Sequence, residues 1–270
     1  MAKIISCINL KGGVGKTALA VNFAAYCGSA NLKTLLIDLD PQTNATFSCL
    51  TVDDWKEHAK KHGSVADLLG VRNHANAEGT KKEAKAVIKK GVFNNVDLIP
   101  SHLDLFTVDL DLAGAAGRER RLQKALKPIQ DNYDVIVCDC PPNLTIPTQN
   151  ALAISTHFVV PISPDYLSSL GVGILLNRIN KLSDDLDNKP DNAGIVISRV
   201  GLRALHRQMT VAALRKQFKK DVLFPEIHER VAVSEATANQ KSIYEWDDPQ
   251  AAKEFEDVSK ELLKRIGLKP

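Results

Sequence analysis

Nine residues near the start of the chain, Asn9-Leu10-Lys11-Gly12-Gly13-Val14-Gly15-Lys16-Thr17, gather two lysines, three glycines and a hydroxyl in a spacing suited to phosphate chemistry. Gly12, Gly13 and Gly15 admit positive φ, so consecutive backbone N–H groups can converge on phosphate oxygens. Lys16 is spaced to meet the β and γ phosphates of a nucleotide, and the Thr17 hydroxyl to ligate Mg²⁺ directly. The expected ATP-phosphate contacts within the loop are Gly12, Gly13, Val14, Gly15, Lys16, Thr17 and Ala18. The usual phosphate-loop pattern has glycine at position 10 and no rule at position 11; here these are Leu10 and Lys11.

Three carboxylates have matching positions. Asp38 and Asp40 end one apolar run and Asp139 ends another. Ligands of open α/β sheets collect at the carboxyl ends of strands, so all three are expected on the rim that carries the phosphate loop. Asp139 is placed as the strand-end carboxylate near the Mg²⁺ shell. Strand-end aspartates also serve simply as caps of the following helix.

The elements that position these groups are legible from periodicity and punctuation. Ile4–Ile8 reads as a buried strand, and Ala18–Tyr26 as the helix that receives the phosphate on its N-terminus. Further strands are predicted over 33–40, 96–101, 133–140, 157–162 and 193–199, with a last short one over 222–225. Helices are expected over 53–62, over 64–69 with Ser64 as cap, through Leu103, Leu105, Phe106 and Leu110, and over 118–126. Three more are expected through Leu175, Leu176 and Ile179, over 205–219 with Leu205, Met209, Ala212 and Ala213 as its apolar positions, and over 255–266. Residues 50–95 are the least readable. Ala84, Val87 and Ile88 share a face of a helix ending the charged run 78–90, and His58, His62 and His74 read as solvated surface. The Arg118–Arg121 cluster reads as an exposed helix face, with an anion site as the other option. The class is α/β: a single-domain P-loop NTPase over 1–270, with a mostly parallel twisted sheet and helices on both faces, and without a helix-turn-helix extension ahead of the loop.

Composition is that of an ordinary globular protein, 44% apolar and 25% charged in 270 residues. No run of 18 or more apolar residues is present and the N-terminus lacks a signal-peptide pattern, which predicts a cytoplasmic address. The five cysteines (Cys7, Cys27, Cys49, Cys138, Cys140) are odd in number and scattered, and read as reduced thiols. The net charge of +3 is local: 192–220 holds seven basic residues and no acidic one, leaving 28 basic against 32 acidic elsewhere. Such a segment suits sequence-independent, salt-sensitive contact with DNA phosphates, or else is a solvated helix face.

The lysine-glycine-glycine-valine-glycine-lysine-threonine form, the segment Asp38-Leu39-Asp40-Pro41-Gln42-Thr43-Asn44-Ala45-Thr46 and the element beginning Asp139-Cys140-Pro141-Pro142 resemble the ParA/MinD family of deviant Walker-A ATPases. The resemblance runs from Lys3 to Ile266 and is weakest over 50–95. It implies that Lys11 reaches the nucleotide of a partner subunit in an ATP-bound homodimer. It also implies that Lys11, Lys16 and Asp40 are catalytic, with Asp40 orienting the attacking water. Asp38, Asp40 and Asp139 would lie near the metal through water, and the rim holding Arg199 and Pro225 would lie near the adenine. A ParA-type protein binds DNA non-specifically as the ATP dimer. Here Arg203, Arg207, Arg215, Lys216, Lys219 and Arg230 are the collective candidates, beside Val233-Ser234-Glu235-Ala236, which matches a family element. Two departures stand out: Ala18 where a second threonine or serine is common, and Ala232 where arginine is usual. The implied function is a nucleoid-associated partition ATPase with a slow basal rate, ATP and Mg²⁺ as cofactors, and a ParB-like or other adaptor protein that stimulates hydrolysis on a DNA cargo. The alternative is a membrane-associated MinD-like positioning ATPase, anchored through Leu262, Leu263 and Ile266.

Overall fold

The computed structural model describes residues 2–71, 82–165, 168–201 and 205–269. Among these residues seven strands form one sheet: β1 (Lys3–Cys7), β2 (Thr34–Asp38), β3 (Lys89–Phe93), β4 (Val96–Ile99), β5 (Val135–Asp139), β6 (His157–Ile162) and β7 (Asp191–Ile197). Their order is β3-β4-β2-β5-β1-β6-β7, parallel throughout except for β3, which pairs antiparallel with β4 at one edge. β1 therefore lies between β5 and β6, and what leaves its carboxyl end lies at the centre of the rim.

The apolar runs alternate because both faces of the sheet are covered. Along β1 and just beyond it, Ile4 and Ile8 enter one core while Ile5 and Cys7 enter the other, and Ile136 and Val137 of β5 divide in the same way. The described helices are α1 (Lys16–Ser29), α2 (Asn44–Phe47), α3 (Val52–Lys61), α4 (Val65–Leu69), α5 (Ala84–Val87) and α6 (Val108–Asp111), followed by α7 (Arg121–Leu126), α8 (Ile146–Ile154), α9 (Ser168–Asp185), α10 (Leu205–Phe218), α11 (Val231–Ala238) and α12 (Pro249–Arg265). Residues of α4, α7, α8 and α9 fill the first core, and those of α1 and α12 fill the second. Gly28 lets α1 lie directly on the β3–β4 turn: a Cβ there would come within 2.0 Å of the Asn94 carbonyl oxygen.

Several expectations change. β3 escaped prediction because Lys89-Lys90-Gly91 has no apolar alternation; it is held through its edge position, with the Lys90 ammonium 2.7 Å from Asp97. The helix expected at the end of 78–90 is only α5, and 78–81 fall outside the described residues. No strand forms over 222–225; that segment makes one bridge, Val222 to Ile195. Among the described side chains of α10, which do not include Leu205, the buried one is Leu214, with Val211 and Phe218 packed beside it, while Met209 is 65% exposed. His58 is buried, not solvated, with Nε2 2.8 Å from the Val87 carbonyl oxygen. His62 is exposed, and His74 lies outside the described residues.

The arginine cluster is neither a plain solvated face nor an anion site. Arg118 donates to the Leu112 and Ala113 carbonyls beyond α6, Arg120 to Leu186 beyond α9 and Arg121 to Leu69 at the end of α4. Three helix C-termini thus receive cations that satisfy their orphan carbonyls. The apolar face of α12 is equally committed: Phe255, Val258, Leu262, Leu263 and the adjoining Ile266 are buried in the second core, which removes them as a membrane anchor. No described helix is long and apolar enough to cross a membrane. All five cysteines are free and buried.

Candidate active site

The phosphate loop joins β1 to α1. Gly13 and Gly15 take φ of 72° and 85°, the left-handed region that a glycine enters without cost, and Gly15 stands at the N-cap of α1. Asn9 fixes the entrance: its Oδ1 accepts from the Lys11 N–H at 2.9 Å, and its Nδ2 donates to the Pro161 carbonyl of β6 at 2.7 Å. The far side is tied to the end of β7. Ser198 Oγ donates to the Val14 carbonyl at 2.5 Å, and Arg199 Nη1 donates to that of Gly13 at 2.6 Å. Arg199 itself has φ 51° and also pairs with Glu229.

The two lysines part company. Lys16 is buried, and its Nζ donates to the Lys11 carbonyl at 3.0 Å. Burial lowers its pKa, while Asp139 and Asp40 act in the opposite direction. The Lys11 side chain leaves the loop outward, 61% exposed, and pairs with Asp165 beyond β6. It does not line the cleft that Lys16 lines.

Of the carboxylates, Asp38 is fully buried. Its Oδ1 accepts from the Asp40 N–H at 3.1 Å; its Oδ2 accepts from Thr46 N–H at 2.8 Å and Thr46 Oγ1 at 2.7 Å. Burial raises its pKa to about 7 against those hydrogen bonds. Both oxygens are thus engaged within the 38–46 segment. Asp40 lines the cleft, with Oδ1 accepting from the Gln42 N–H at 2.9 Å. Asp139 is fully buried, and neither of its oxygens has a hydrogen-bond partner among the described residues. Burial, then the neighbouring Asp38, raise its pKa well above the usual carboxylate range, with the Thr17 side chain and Lys16 opposing. An orphaned buried carboxylate close to a hydroxyl is a donor set for a hard divalent cation, so the residues present fit Mg²⁺. Burial raises the pKa of Cys7, Cys138 and Cys140, which keeps these neighbours as unreactive thiols.

From the loop a cleft of about 780 Å³ runs between Asp40, Asn44 and Phe47 on one side and Ser198, Arg199 and the segment 227–234 on the other, with Phe255 of α12 in its wall. This volume suits a nucleotide.

Comparison with known proteins adds to this geometry. Residues 2–192 match a family described as an AAA domain. The chromosome-partitioning ATPase Soj of Treponema pallidum is 31% identical over 268 residues, covering 99% of each chain. The chain belongs to the ParA-type partition ATPases. As such it is a partition or positioning ATPase built on the P-loop fold. A putative plasmid partition protein of Borrelia burgdorferi bound to AMPPNP has the same fold, with TM-score 0.77, 24% identity and coverage of 98% and 99% of the two chains. Cobyrinic acid a,c-diamide synthase from Mycobacterium smegmatis with ADP and magnesium superposes with TM-score 0.72 at 28% identity over 89% of this chain and 91% of that one.

In this ParA-type chain the structure brings Gly12, Gly13, Gly15, Lys16, Thr17, Ala18, Asp40 and Arg199 to one cleft; Val14 is buried behind the loop. Pro225 stands apart, in a second groove with Phe224, Lys260 and Lys264. The basic candidates divide as well. Arg230 is in the cleft wall, donating to Glu254 at 2.8 Å. Arg215 is spent internally, on the Leu223 and Phe224 carbonyls and on Glu226. Lys216 and Lys219 are exposed, Arg207 is half-buried, and Arg203 lies outside the described residues. Sequence reasoning had no role for Ser198, Glu229 or Thr46. Ser198 has the signal of following the end of β7 and Thr46 that of closing the 38–46 segment, whereas Glu229 has none.

Proposed function

We propose that this chain hydrolyses ATP with Mg²⁺ as a homodimer, binds duplex DNA non-specifically in its ATP state, and positions a DNA cargo on the nucleoid when a ParB-like adaptor stimulates turnover. The observation that carries the reading is the divergence of the two lysines. Lys16 is buried in its own cleft, whereas Lys11 is exposed on the rim and outside that cleft. A cation so placed is available to a nucleotide held by another subunit.

The chain's own groups then have separable tasks. The loop N–H groups and the α1 N-terminus bind the phosphates, Lys16 holds the γ phosphate, and Asp40 orients water from the opposite wall. Thr17 and Asp139 would hold Mg²⁺, which when bound neutralises charge developing on the phosphoryl oxygens. Asp38 keeps the 38–46 segment in shape. The base would occupy the far end of the cleft, against 227–234 and Phe255, with Arg199 near the phosphates rather than beside Pro225. For DNA, Lys216, Lys219 and the adjoining Lys220 are exposed members of the basic segment, with Arg207 and Arg203 earlier along it; Arg215 and Arg230 are taken up by internal carbonyls and glutamates.

The test is binding to random-sequence duplex DNA with ATP, with ADP and without nucleotide, at two salt concentrations. ATP-dependent, salt-sensitive binding that Lys11→Ala abolishes is expected. DNA ignored in every nucleotide state would overturn the partition reading.

A further inference from the structure

We infer that Ser101, which no motif singles out, is a positioning residue for Asp40, an inference resting on the hydrolytic role proposed for that carboxylate. Ser101 follows β4 on a neighbouring part of the rim and is fully buried. Its Oγ donates to the Asp40 carbonyl at 2.6 Å, its N–H donates to Thr46 Oγ1 at 2.9 Å, and its carbonyl accepts from Trp55 Nε1 at 2.9 Å. The proton directions are fixed. Thr46 Oγ1 gives its one hydrogen to Asp38 Oδ2, so toward Ser101 it accepts, and the Asp40 carbonyl can only accept.

Ser101 therefore grips the 38–46 segment at two points from outside, while Asp38 ties the same segment from within. The Asp40 carbonyl takes a second donor, the Thr43 N–H at 2.9 Å, and Thr43 is β-branched at φ 58°. A residue of that kind persists in the left-handed region only where its surroundings over-determine it. With the Ser101 hydroxyl gone, the Asp40 carbonyl keeps only the Thr43 N–H of this strained turn; the Asp40 N–H stays on Asp38 and the carboxylate on the Gln42 N–H, so the residue can rock about those remaining bonds. The carboxylate then loses its fixed position in the cleft, while the loop that binds phosphates is untouched.

The test uses the full chain. Ser101→Ala should lower kcat about 10- to 100-fold, since small misplacement of an orienting group has that cost. KM for ATP and affinity for ADP should stay within about twofold. Ser101→Thr retains the hydroxyl but crowds a filled site, so it should melt lower than wild type yet turn over faster than Ser101→Ala. Should Ser101→Ala fail to fold, Ser101→Cys, of similar size with a weak donor, supplies the same comparison. Equal kcat in the variants with and without the hydroxyl would overturn the inference. Asp40→Ala separates the two layers: if it keeps its kcat, the hydrolytic reading of Asp40 fails; if it is dead while Ser101→Ala is fully active, only the positioning role fails.

Discussion

Two inactive variants should make an active mixture. Lys11 and its partner Asp165 are both exposed, 61% and 41%, so the pair contributes at most about 1 kcal/mol. In a domain of this size that is about 2–4 °C in Tm, and Lys11→Ala should melt within that margin of wild type. Its effect on turnover is of another order. A cation delivered to the transferring phosphoryl group is worth about 10³–10⁵ in kcat, or about 4–7 kcal/mol of barrier. Asp40→Ala is also expected to be inactive, through a group that acts in its own cleft. In a mixed dimer, the cleft of the Lys11→Ala subunit keeps its own Asp40 and receives Lys11 from the other subunit, so one site of the two is whole. Random pairing of equal amounts makes about half the dimers mixed, and total hydrolysis should reach about a quarter of wild type. The assay is phosphate release at saturating MgATP with DNA present, for each variant alone and for the mixture. If Lys11 acts within its own cleft, neither site of a mixed dimer is whole. A mixture as inactive as its components would refute the in-trans role.

Other outcomes follow from particular side chains. Lys216→Ala, Lys219→Ala and Lys220→Ala together should weaken DNA binding and flatten the salt dependence by about 0.9 in log–log slope for each DNA phosphate left without its cation, with Tm unchanged. Arg215→Ala should do the reverse, costing about 2 kcal/mol or more in a denaturant titration because its charged hydrogen bonds are internal. Burial depresses the pKa of His58, with His62, Lys89 and Lys82 adding to the effect and the Val87 bond opposing it. Its contribution to stability is present above the unfolded value near 6.5 and lost as pH falls below it, so His58→Gln should melt with a shallower decline between pH 7.5 and 5.5 than wild type. Gly28→Ala forces a methyl toward the Asn94 carbonyl and should cost about 3 kcal/mol, read as a drop in Tm of about 6–12 °C; an unchanged Tm would count against the close helix–sheet approach.

The parallel strands and the phosphate loop were legible because their signals are local: unbroken β-branched runs, glycines at fixed offsets and carboxylates at strand ends. β3 was not, since an edge strand carrying Lys89-Lys90-Gly91 is defined by its neighbour β4 and not by its own pattern. The apolar face of α10 was misread for a related reason: Met209 and Ala212 fit the helical spacing, but packing selects Leu214. His58 looks like surface in a charged helix until the distant Val87 carbonyl arrives. Within the site, the loop residues were readable, whereas Ser198, Glu229 and Ser101 act on it from distant parts of the chain through hydrogen bonds that no sequence spacing records. Arg215 and Arg230 show the opposite error, since a count of positive charge does not tell a cation facing solvent from one satisfying carbonyls or a half-buried glutamate.

The wall of the cleft formed by α12 has a bearing on how the protein is made. Phe255 lines the cleft, and Glu254 beside it anchors both His228 and Arg230 on the opposite segment. The phosphate loop and all three rim carboxylates leave the ribosome more than a hundred residues before this helix does. A chain that stops short of α12 therefore carries every residue of the loop and of the carboxylate rim but lacks this wall of the cleft.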